Sequence, residues 1–259
     1  MTLSEAERAA LAQVLETQPD LNRWRLRAQR IEEPEAGSEL AIDDKVFPHM
    51  EISQLVRLLL IFSGEHLRLA LDALKAQQLY PASHFTVLRG ALVGAAQGVW
   101  ILSPDDQEER QERGLTVLAK MFTQMRKYYN DLGELSQDDH EELEVRQKWL
   151  RKRSASVVAA RSSKADLNLT EVIDASARTV FADVGHQESI RRLWREMSGT
   201  AHALAWSVFQ GSSLGPPDRR TGLSEGTTAG SRLRVRVTAL IEVPRFCSLK
   251  FPTLGRSAA

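Results

Sequence analysis

The chain contains a single cysteine, no excess of either charge and no uninterrupted apolar run of membrane-spanning length. Cys247 alone can form neither an internal disulfide nor a cysteine-based zinc site, which is typical of proteins of the reducing cytoplasm. The 34 basic residues balance the 34 acidic residues, so no overall field draws the protein onto nucleic acid or an anionic membrane. A polyanionic partner would have to be recognised by a local patch.

Two apolar windows, 55–62 and 88–102, are shorter than the about 18 residues that a membrane-spanning helix needs. The N-terminus carries Glu5 and Glu7 in place of the basic start and apolar run of a secretory signal. We therefore expect a cytoplasmic protein without a membrane segment, in which both windows form buried core helices.

The motifs that commonly mark cofactor and metal sites are also missing. The sequence has no Walker phosphate loop, no His-Glu-x-x-His pair and no repeated Glu-x-x-His pair, and its 6 histidines are scattered. The stretch 211–215 (Gly-Ser-Ser-Leu-Gly) has the form of a nucleophile elbow, but it follows a helical pattern and leads into two prolines. These observations predict neither a cofactor nor a metal, and they argue against a P-loop enzyme, a zinc protease and a serine hydrolase.

Helical periodicity dominates the middle of the chain and predicts an all-α bundle of several helices. Apolar residues follow a helical repeat over 51–79 and again over 83–102, which predicts two core helices. In the second, Gly90, Gly94 and Gly98 recur every four residues and would let another helix approach closely. Each glycine costs about 1 kcal/mol of helix propensity relative to alanine, so we expect the close contact to offset that cost.

A long helical hairpin is predicted to follow the core helices. Ser103 and Pro104, with acidic residues after them, have the form of an N-cap and a first helical turn. Ser136 has the form of the N-cap of the next helix. Apolar residues recur there at heptad spacing: Leu143, Leu150 and Val157.

The second half of that helix is basic, through Lys148, Arg151, Lys152, Arg153, Arg161 and Lys164. These charges are typical of a solvated helix face near a C-terminus. They also suit a surface that contacts phosphates, which would matter if this face adjoined the polar site described next.

That polar site is predicted on a helix beginning near Gln187. The helix has a buried apolar stripe: Ile190, Leu193, Met197, Ala201, Leu204 and Val208. A neighbouring stripe, rotated by roughly a quarter turn, is polar: Arg191, Arg195, Ser198 and His202. Arg195 and His202 stand seven residues apart, so they return to nearly the same side of the helix. The alignment requires that the helix continue through Gly199 and Thr200, which weaken it.

An arginine followed after four to six residues by a histidine is the defining motif of the HEPN superfamily, and the segment from Arg195 to His202 is similar to its loose form. The segment 84–92 together with 198–202 also resembles actinobacterial HEPN-like proteins of unknown function. In those proteins a glutamate often follows the first helix's arginine by one turn, where this chain has Val93. The family comprises helical bundles that include metal-independent RNases of toxin–antitoxin and antiviral systems.

The resemblance, which covers about residues 53–211, implies an RNA-directed protein, and the residue types suit RNA cleavage without metal. His202 could transfer a proton near neutral pH, Arg195 could hold two phosphate oxygens, and Ser198 could orient the imidazole or the substrate. Arg89 is a supporting cation in this scheme. Because one histidine is half of an acid–base pair, a second proton-transfer group or a homodimeric partner is required.

Three functions therefore stay open at the level of sequence. The first is a HEPN-like metal-independent endoribonuclease of a toxin or antiviral type, with RNA as its partner and Arg195, Ser198, His202 and Arg89 as its site. The second is a non-catalytic helical scaffold or protein-interaction module, in which a neighbouring helix satisfies His202 and a carboxylate pairs with Arg195. The third is a regulatory protein that binds a protein partner through the long hairpin.

The chain divides by composition into three parts. Residues 1–48 predict a short helix followed by an exposed connection over 32–48, where proline, glycine and acidic residues break the pattern. Residues 49–211 predict the helical bundle. Residues 212–259 predict a flexible or loosely docked tail, with a linker rich in glycine, serine and proline before one strand over 232–237.

Overall fold

The computed structural model describes residues 5–28, 30, 32–78, 80–132, 136–204, 206, 213–217 and 224–227. The fold is an all-α helical bundle, as the periodicity predicts. Its helices are α1 (Glu5–Glu16), α2 (Gln18–Ala28), α3 (Glu39–Asp43), α4 (Ile52–Lys75), α5 (Pro81–Leu102), α6 (Gln107–Asn130), α7 (Gln137–Ala160), α8 (Leu169–Val180) and α9 (Val184–Ala201). A short 3₁₀ turn, Asp44–Val46, follows α3 directly.

Side-chain caps begin α6 and α7, and one of the two caps differs from the prediction. Ser136 caps α7 as predicted, because its Oγ accepts a hydrogen bond from the Asp139 N–H at 3.3 Å. The predicted cap at Ser103 is wrong, since that residue is the C-cap of α5. Asp106 caps α6 instead, accepting from the Glu109 N–H at 2.8 Å. Both caps place a carboxylate or hydroxyl where the helix exposes unpaired N–H groups.

Two hydrophobic clusters form the core, and α4 and α5 contribute to both. The first joins α5 to α2, the second half of α4, α8 and α9, around Leu88, Leu92, Ile173 and Ile190. The second joins the first half of α4 to α6, α7 and the segment after α3, around Ile52, Ile101, Leu118 and Leu150. The helix that carries the predicted polar site therefore belongs to the first cluster, and the predicted hairpin belongs to the second.

Helix α5 lies at the centre, and its glycines permit the close approach that their spacing predicts. A Cβ on Gly94 would lie 2.5 Å from the Leu59 carbonyl oxygen, which is backbone of α4. A Cβ on Gly90 would lie 2.5 Å from the His66 ring. Hydroxyls of neighbouring helices bind α5 carbonyls at this short range: Ser63 donates to Ala91 O and Ser176 to Ala96 O, both at 2.8 Å.

The length of α5 corrects one expectation. Over Ala82–Leu102, 21 residues, the helix is long and apolar enough by length and composition to cross a membrane, whereas the apolar window of the sequence, 88–102, predicts a helix too short for this. This is weak evidence for a span, because the core helix of a soluble protein passes the same test and 61% of its apolar 18-residue window is buried inside the fold. Its fully buried residues pack within the two hydrophobic clusters, in agreement with the predicted core helix.

The second half of the predicted exposed connection is part of the core. Phe47 is 2% exposed, and Asp43 is 1% exposed. The Arg110 Nε donates to Asp43 Oδ2 at 2.7 Å, and Arg110 Nη1 donates to the backbone oxygens of Pro104 and Asp105 at 3.0 and 2.8 Å. The expectation of exposure over 32–48 is wrong at Asp43, because this carboxylate is paired with the buried cation Arg110.

The predicted hairpin is confirmed in α6 and α7. Leu150 and Val157 are buried between the two helices' faces, and the ring of Trp149 lies edge-on to Phe122 with centroids 6.2 Å apart. An ion pair joins the hairpin to the next loop, where Arg161 Nε meets Glu112 Oε1 at 3.0 Å.

A short antiparallel pair of strands follows the bundle, where the sequence predicts a linker. Strand β1 (Ser213–Pro217) pairs with β2 (Ser224–Thr227), with an irregular register between Leu214 and Pro217. The strand predicted over 232–237, with the rest of the tail, lies outside the described residues.

Candidate functional site

Helix α9 carries the predicted polar residues Arg195 and Ser198, and it packs against α5 and α8. Its buried stripe is confirmed for Ile190, Leu193 and Met197, which are at most 3% exposed. Leu204 does not extend this stripe, because the helix ends at Ala201 and the Leu204 side chain is 50% exposed. Val208 lies outside the described residues.

The structure brings Arg89 of α5 and Ser198 of α9 together. Arg89 Nε donates a hydrogen bond to Ser198 Oγ at 3.1 Å. The guanidinium carbon also lies over the ring of Trp194, 4.8 Å from its centroid, which is a cation–π contact. The Trp194 Nε1 donates in turn to Thr170 Oγ1 of α8 at 3.3 Å, which fixes the ring.

Arg89 is a partly buried cation, and burial lowers the pKa of its guanidinium. In the part of the chain that the structure describes, Arg89 forms no ion pair with a carboxylate, and its Nη atoms form no hydrogen bond. By contrast, Arg110, Arg161 and Arg191 each bind a carboxylate within 3.0 Å. An arginine desolvated without a counterion is unusual, since burial of an unpaired charge costs free energy.

The other two predicted residues, Arg195 and His202, are exposed. His202 is the C-cap of α9, with φ −92° and ψ 11°, so it follows the last helical residue. The two residues are separated by about 10 Å along the axis, from 1.5 Å per residue. Arg195 also leans toward the N-terminus of the helix, away from His202, because helical Cβ atoms point that way. Neither side chain is hydrogen-bonded or ion-paired to a described residue.

The end of α9 fixes the position of His202. Ala203 has φ 53°, the Ala203 N–H donates to Thr200 O at 3.0 Å, and the Leu204 N–H donates to Gly199 O at 2.8 Å. This is the hydrogen-bond pattern of a Schellman motif. The chain then folds back, and the Trp206 ring covers Gly199, where a Cβ would meet the ring at 2.5 Å. Gly199, which weakens the helix, therefore leaves room for the Trp206 ring next to Ser198.

Replacing Ala203 with glycine should stabilise the protein by about 0.5–1 kcal/mol. A left-handed φ strains alanine but not glycine, which is the usual residue at this position of a Schellman motif. Chemical denaturation of the wild type and the Ala203→Gly variant measures the change. Ala201→Gly, inside the same helix, is the control and should destabilise by a similar amount. Equal destabilisation by both substitutions would contradict the motif.

Sequence reasoning missed both tryptophans. Trp194 precedes Ser198 by one helical turn, so its position beside the Arg89 contact could have been found from the i, i+4 spacing. Trp206 follows the helix, and only the reversal of the chain after Ala203 brings it back to Gly199.

The basic half of α7 does not join this site through helix packing. Helix α7 packs on α6, whereas α9 packs on α5 and α8. Arg153 lies over the Trp149 ring at 5.7 Å, and Arg161 is paired with Glu112. The pKa of Glu112 is lowered although burial opposes this, because Ser162 and Arg161 donate hydrogen bonds to its carboxylate. Two of the basic residues therefore have structural contacts.

Among the described residues, no group of three or more histidine, cysteine, aspartate or glutamate side chains is placed to hold a metal ion. Of the predicted residues, the structure brings Arg89 and Ser198 together beside Trp194, whereas Arg195 and His202 are exposed on α9 and at its end. No protein-family model, curated protein or solved structure matches the chain.

Proposed function

We propose that the chain is a HEPN-like, RNA-directed protein in which Arg89, Ser198, Arg195 and His202 bind RNA and cleave it without a metal ion. The observation that carries the proposal is the half-buried guanidinium of Arg89, held by Ser198 and Trp194 with no carboxylate partner in the described part of the chain. A cation in this state favours the binding of an anion. RNA presents a phosphate at every nucleotide.

Arg89 and Ser198 retain N–H and O–H groups that can donate hydrogen bonds to a phosphate. Arg89 uses only Nε toward Ser198, so its two Nη atoms retain N–H groups in the planar arrangement that suits two phosphate oxygens. The Ser198 hydroxyl accepts from Arg89, so its own proton can be donated to the substrate. Arg195, exposed on the preceding turn of α9, adds a second positive charge.

The reaction requires two proton transfers and the exchange of one phosphorus–oxygen bond for another. His202 takes the proton of the RNA 2′-hydroxyl, and O2′ forms a bond to phosphorus while the bond from phosphorus to O5′ breaks. The products are a 2′,3′-cyclic phosphate and a 5′-hydroxyl, and O5′ receives its proton from water or from a second group. Arg89 and Arg195 stabilise the charge that develops on the phosphate oxygens.

Cleavage of mixed structured and single-stranded RNA in the presence of EDTA tests the proposal. We expect His202→Ala to reduce the cleavage rate by at least about 100-fold, because it removes the proton-transfer group. Arg195→Ala should also reduce cleavage, with weaker RNA binding. Equal thermal unfolding of all proteins establishes that the variants are folded.

Matched controls come from exposed residues of the same types elsewhere in the bundle. His140 on α7 and Arg178 on α8 are exposed, so His140→Ala and Arg178→Ala should leave cleavage unchanged. An inactive wild type, or equal cleavage by wild type and His202→Ala, would refute the nuclease. Cleavage that EDTA abolishes would refute the metal-independent mechanism.

A second candidate function is a non-catalytic scaffold or interaction module. It is favoured by the separation of Arg195 from His202 by two helical turns and by the end of α9 between them. In a scaffold, Arg89 stabilises the contact of α5 with α9, and His202→Ala changes nothing. If the wild type binds RNA without cleaving it, and if Arg89→Gln abolishes the binding while His202→Ala keeps it, the protein is a non-catalytic RNA-binding module.

A further inference from the structure

Helix α7 has a charge distribution that reverses at its centre. Its first part, 137–144, carries five acidic residues and no lysine or arginine, and its second part, 145–160, carries five basic residues and no acidic one. Acidic residues near the N-terminus and basic residues near the C-terminus of a helix favour its dipole, which accounts for part of the pattern. The dipole does not explain the apolar residues that lie between them on the solvent face.

That solvent face is defined by the helical repeat. At 100° per residue, one side of α7 carries Asp138, Glu141, Glu142, Val145, Lys148, Trp149 and Lys152, all exposed. The opposite side carries the buried residues Leu150 and Val157. Val145 is 69% exposed and Trp149 is 48% exposed, so the middle of the face is apolar, with an acidic end before it and a basic end after it.

We propose that this face binds the same face of a second copy of the chain, with the two α7 helices antiparallel. A two-fold axis at the level of Gln147 places Val145 of one copy beside Trp149 of the other, and Glu142 of one beside Lys152 of the other. Every contact then occurs twice, which is the property of an isologous interface. Charge complementarity and the central apolar pair select a second copy as the occupant.

The geometry predicts a weak, salt-sensitive dimer. The face from residue 138 to residue 152 is about 21 Å long at 1.5 Å per residue, which places the interface at the small end of specific interfaces. Its ion pairs are exposed at the rim, so salt screens them. Glu142 already pairs with Arg146 of its own helix, and both side chains remain more than half exposed, at 62% and 57%.

A charge-swap experiment on the full chain tests the proposal. Variant one, Lys148→Glu with Lys152→Glu, has an acidic face throughout, and variant two, Glu141→Lys with Glu142→Lys, has a mostly basic face. Analytical ultracentrifugation at low salt should show the wild type as a dimer. Each variant alone should have a dimer dissociation constant raised by about tenfold or more, because like charges meet across the axis. An equimolar mixture of the two variants should dimerise again.

The matched control reverses two exposed charges on other helices, Lys75→Glu with Arg178→Glu, and should leave the wild-type dimer unchanged. A wild type that stays monomeric at low salt overturns the proposal. Variants whose dimer dissociation constant equals that of the wild type also overturn it. A mixture of the two variants that fails to dimerise overturns it too. A monomer that binds RNA through Lys148 and Lys152 also overturns it, and assigns the face to nucleic acid. The inference does not depend on the proposed nuclease activity, because no readout involves RNA cleavage.

Discussion

Replacing Arg110 with alanine is expected to lower the free energy of unfolding by about 3–5 kcal/mol. Arg110 and Asp43 form a buried ion pair whose side chains are 5% and 1% exposed, with Nε and Oδ2 2.7 Å apart. Loss of the guanidinium leaves a carboxylate in the core without its cation. It also removes the donor to the Pro104 and Asp105 carbonyls in the turn between α5 and α6. Denaturant unfolding of the two proteins measures the difference.

The pH dependence of this difference identifies the buried carboxylate as its cause. Burial already raises the pKa of Asp43 above its ordinary 3.8, although the hydrogen bond from Arg110 lowers it. Without Arg110 that pKa rises further. A raised folded-state pKa of an acid favours the folded state at low pH, and this advantage is lost as the pH rises through the folded pKa. The destabilisation of Arg110→Ala should therefore shrink as the pH falls toward 3.8.

A surface ion pair provides the control. Arg68 meets Asp72 one turn away on α4, and the side chains are 42% and 50% exposed. Arg68→Ala should cost less than about 0.5 kcal/mol, since exposed pairs contribute little. A cost for Arg110→Ala as small as that for Arg68→Ala, or one independent of pH, would contradict the role assigned to the buried pair.

The two ion pairs also show where sequence reasoning ends. Periodicity predicts α4, α5, α6, α7 and α9 because each buries an apolar stripe that repeats every 3.6 residues. Asp43 belongs to a short helix within a stretch rich in charged residues, and nothing local in the sequence indicates that it is buried. Its burial is set by Arg110, 67 positions later, and contacts at that separation are not encoded in a local pattern.

The same limit applies to the candidate site. The sequence places Arg195, Ser198 and His202 on one stripe, because helical spacing is local. The contact of Arg89 with Ser198 joins residues 109 positions apart, so helical spacing does not predict it. The sequence also does not predict that α9 ends at Ala201, since Gly199 and Thr200 weaken the helix without marking its last residue. The packing of α9 on α5 determines the first contact, and the Schellman motif determines where α9 ends.

Replacing Gly94 with alanine is expected to destabilise the protein by about 2–3 kcal/mol, and replacing it with valine by more. The added Cβ would lie 2.5 Å from the Leu59 carbonyl oxygen and 3.2 Å from the Ser63 Cβ. The first of these is backbone, so α4 and α5 would have to separate, and overpacking of this kind costs about 1–3 kcal/mol or more. The separation would also lengthen the buried hydrogen bond from Ser63 Oγ to Ala91 O, now 2.8 Å.

Gly64 is the matched control, because it lies within α4 and a Cβ there meets no atom within 4 Å. Gly64→Ala should stabilise the protein by about 0.5–1 kcal/mol through helix propensity alone. The two substitutions are chemically identical and should therefore have opposite signs in thermal or denaturant unfolding. Stabilisation by Gly94→Ala would mean that α4 and α5 do not approach as closely as the glycine stripe implies.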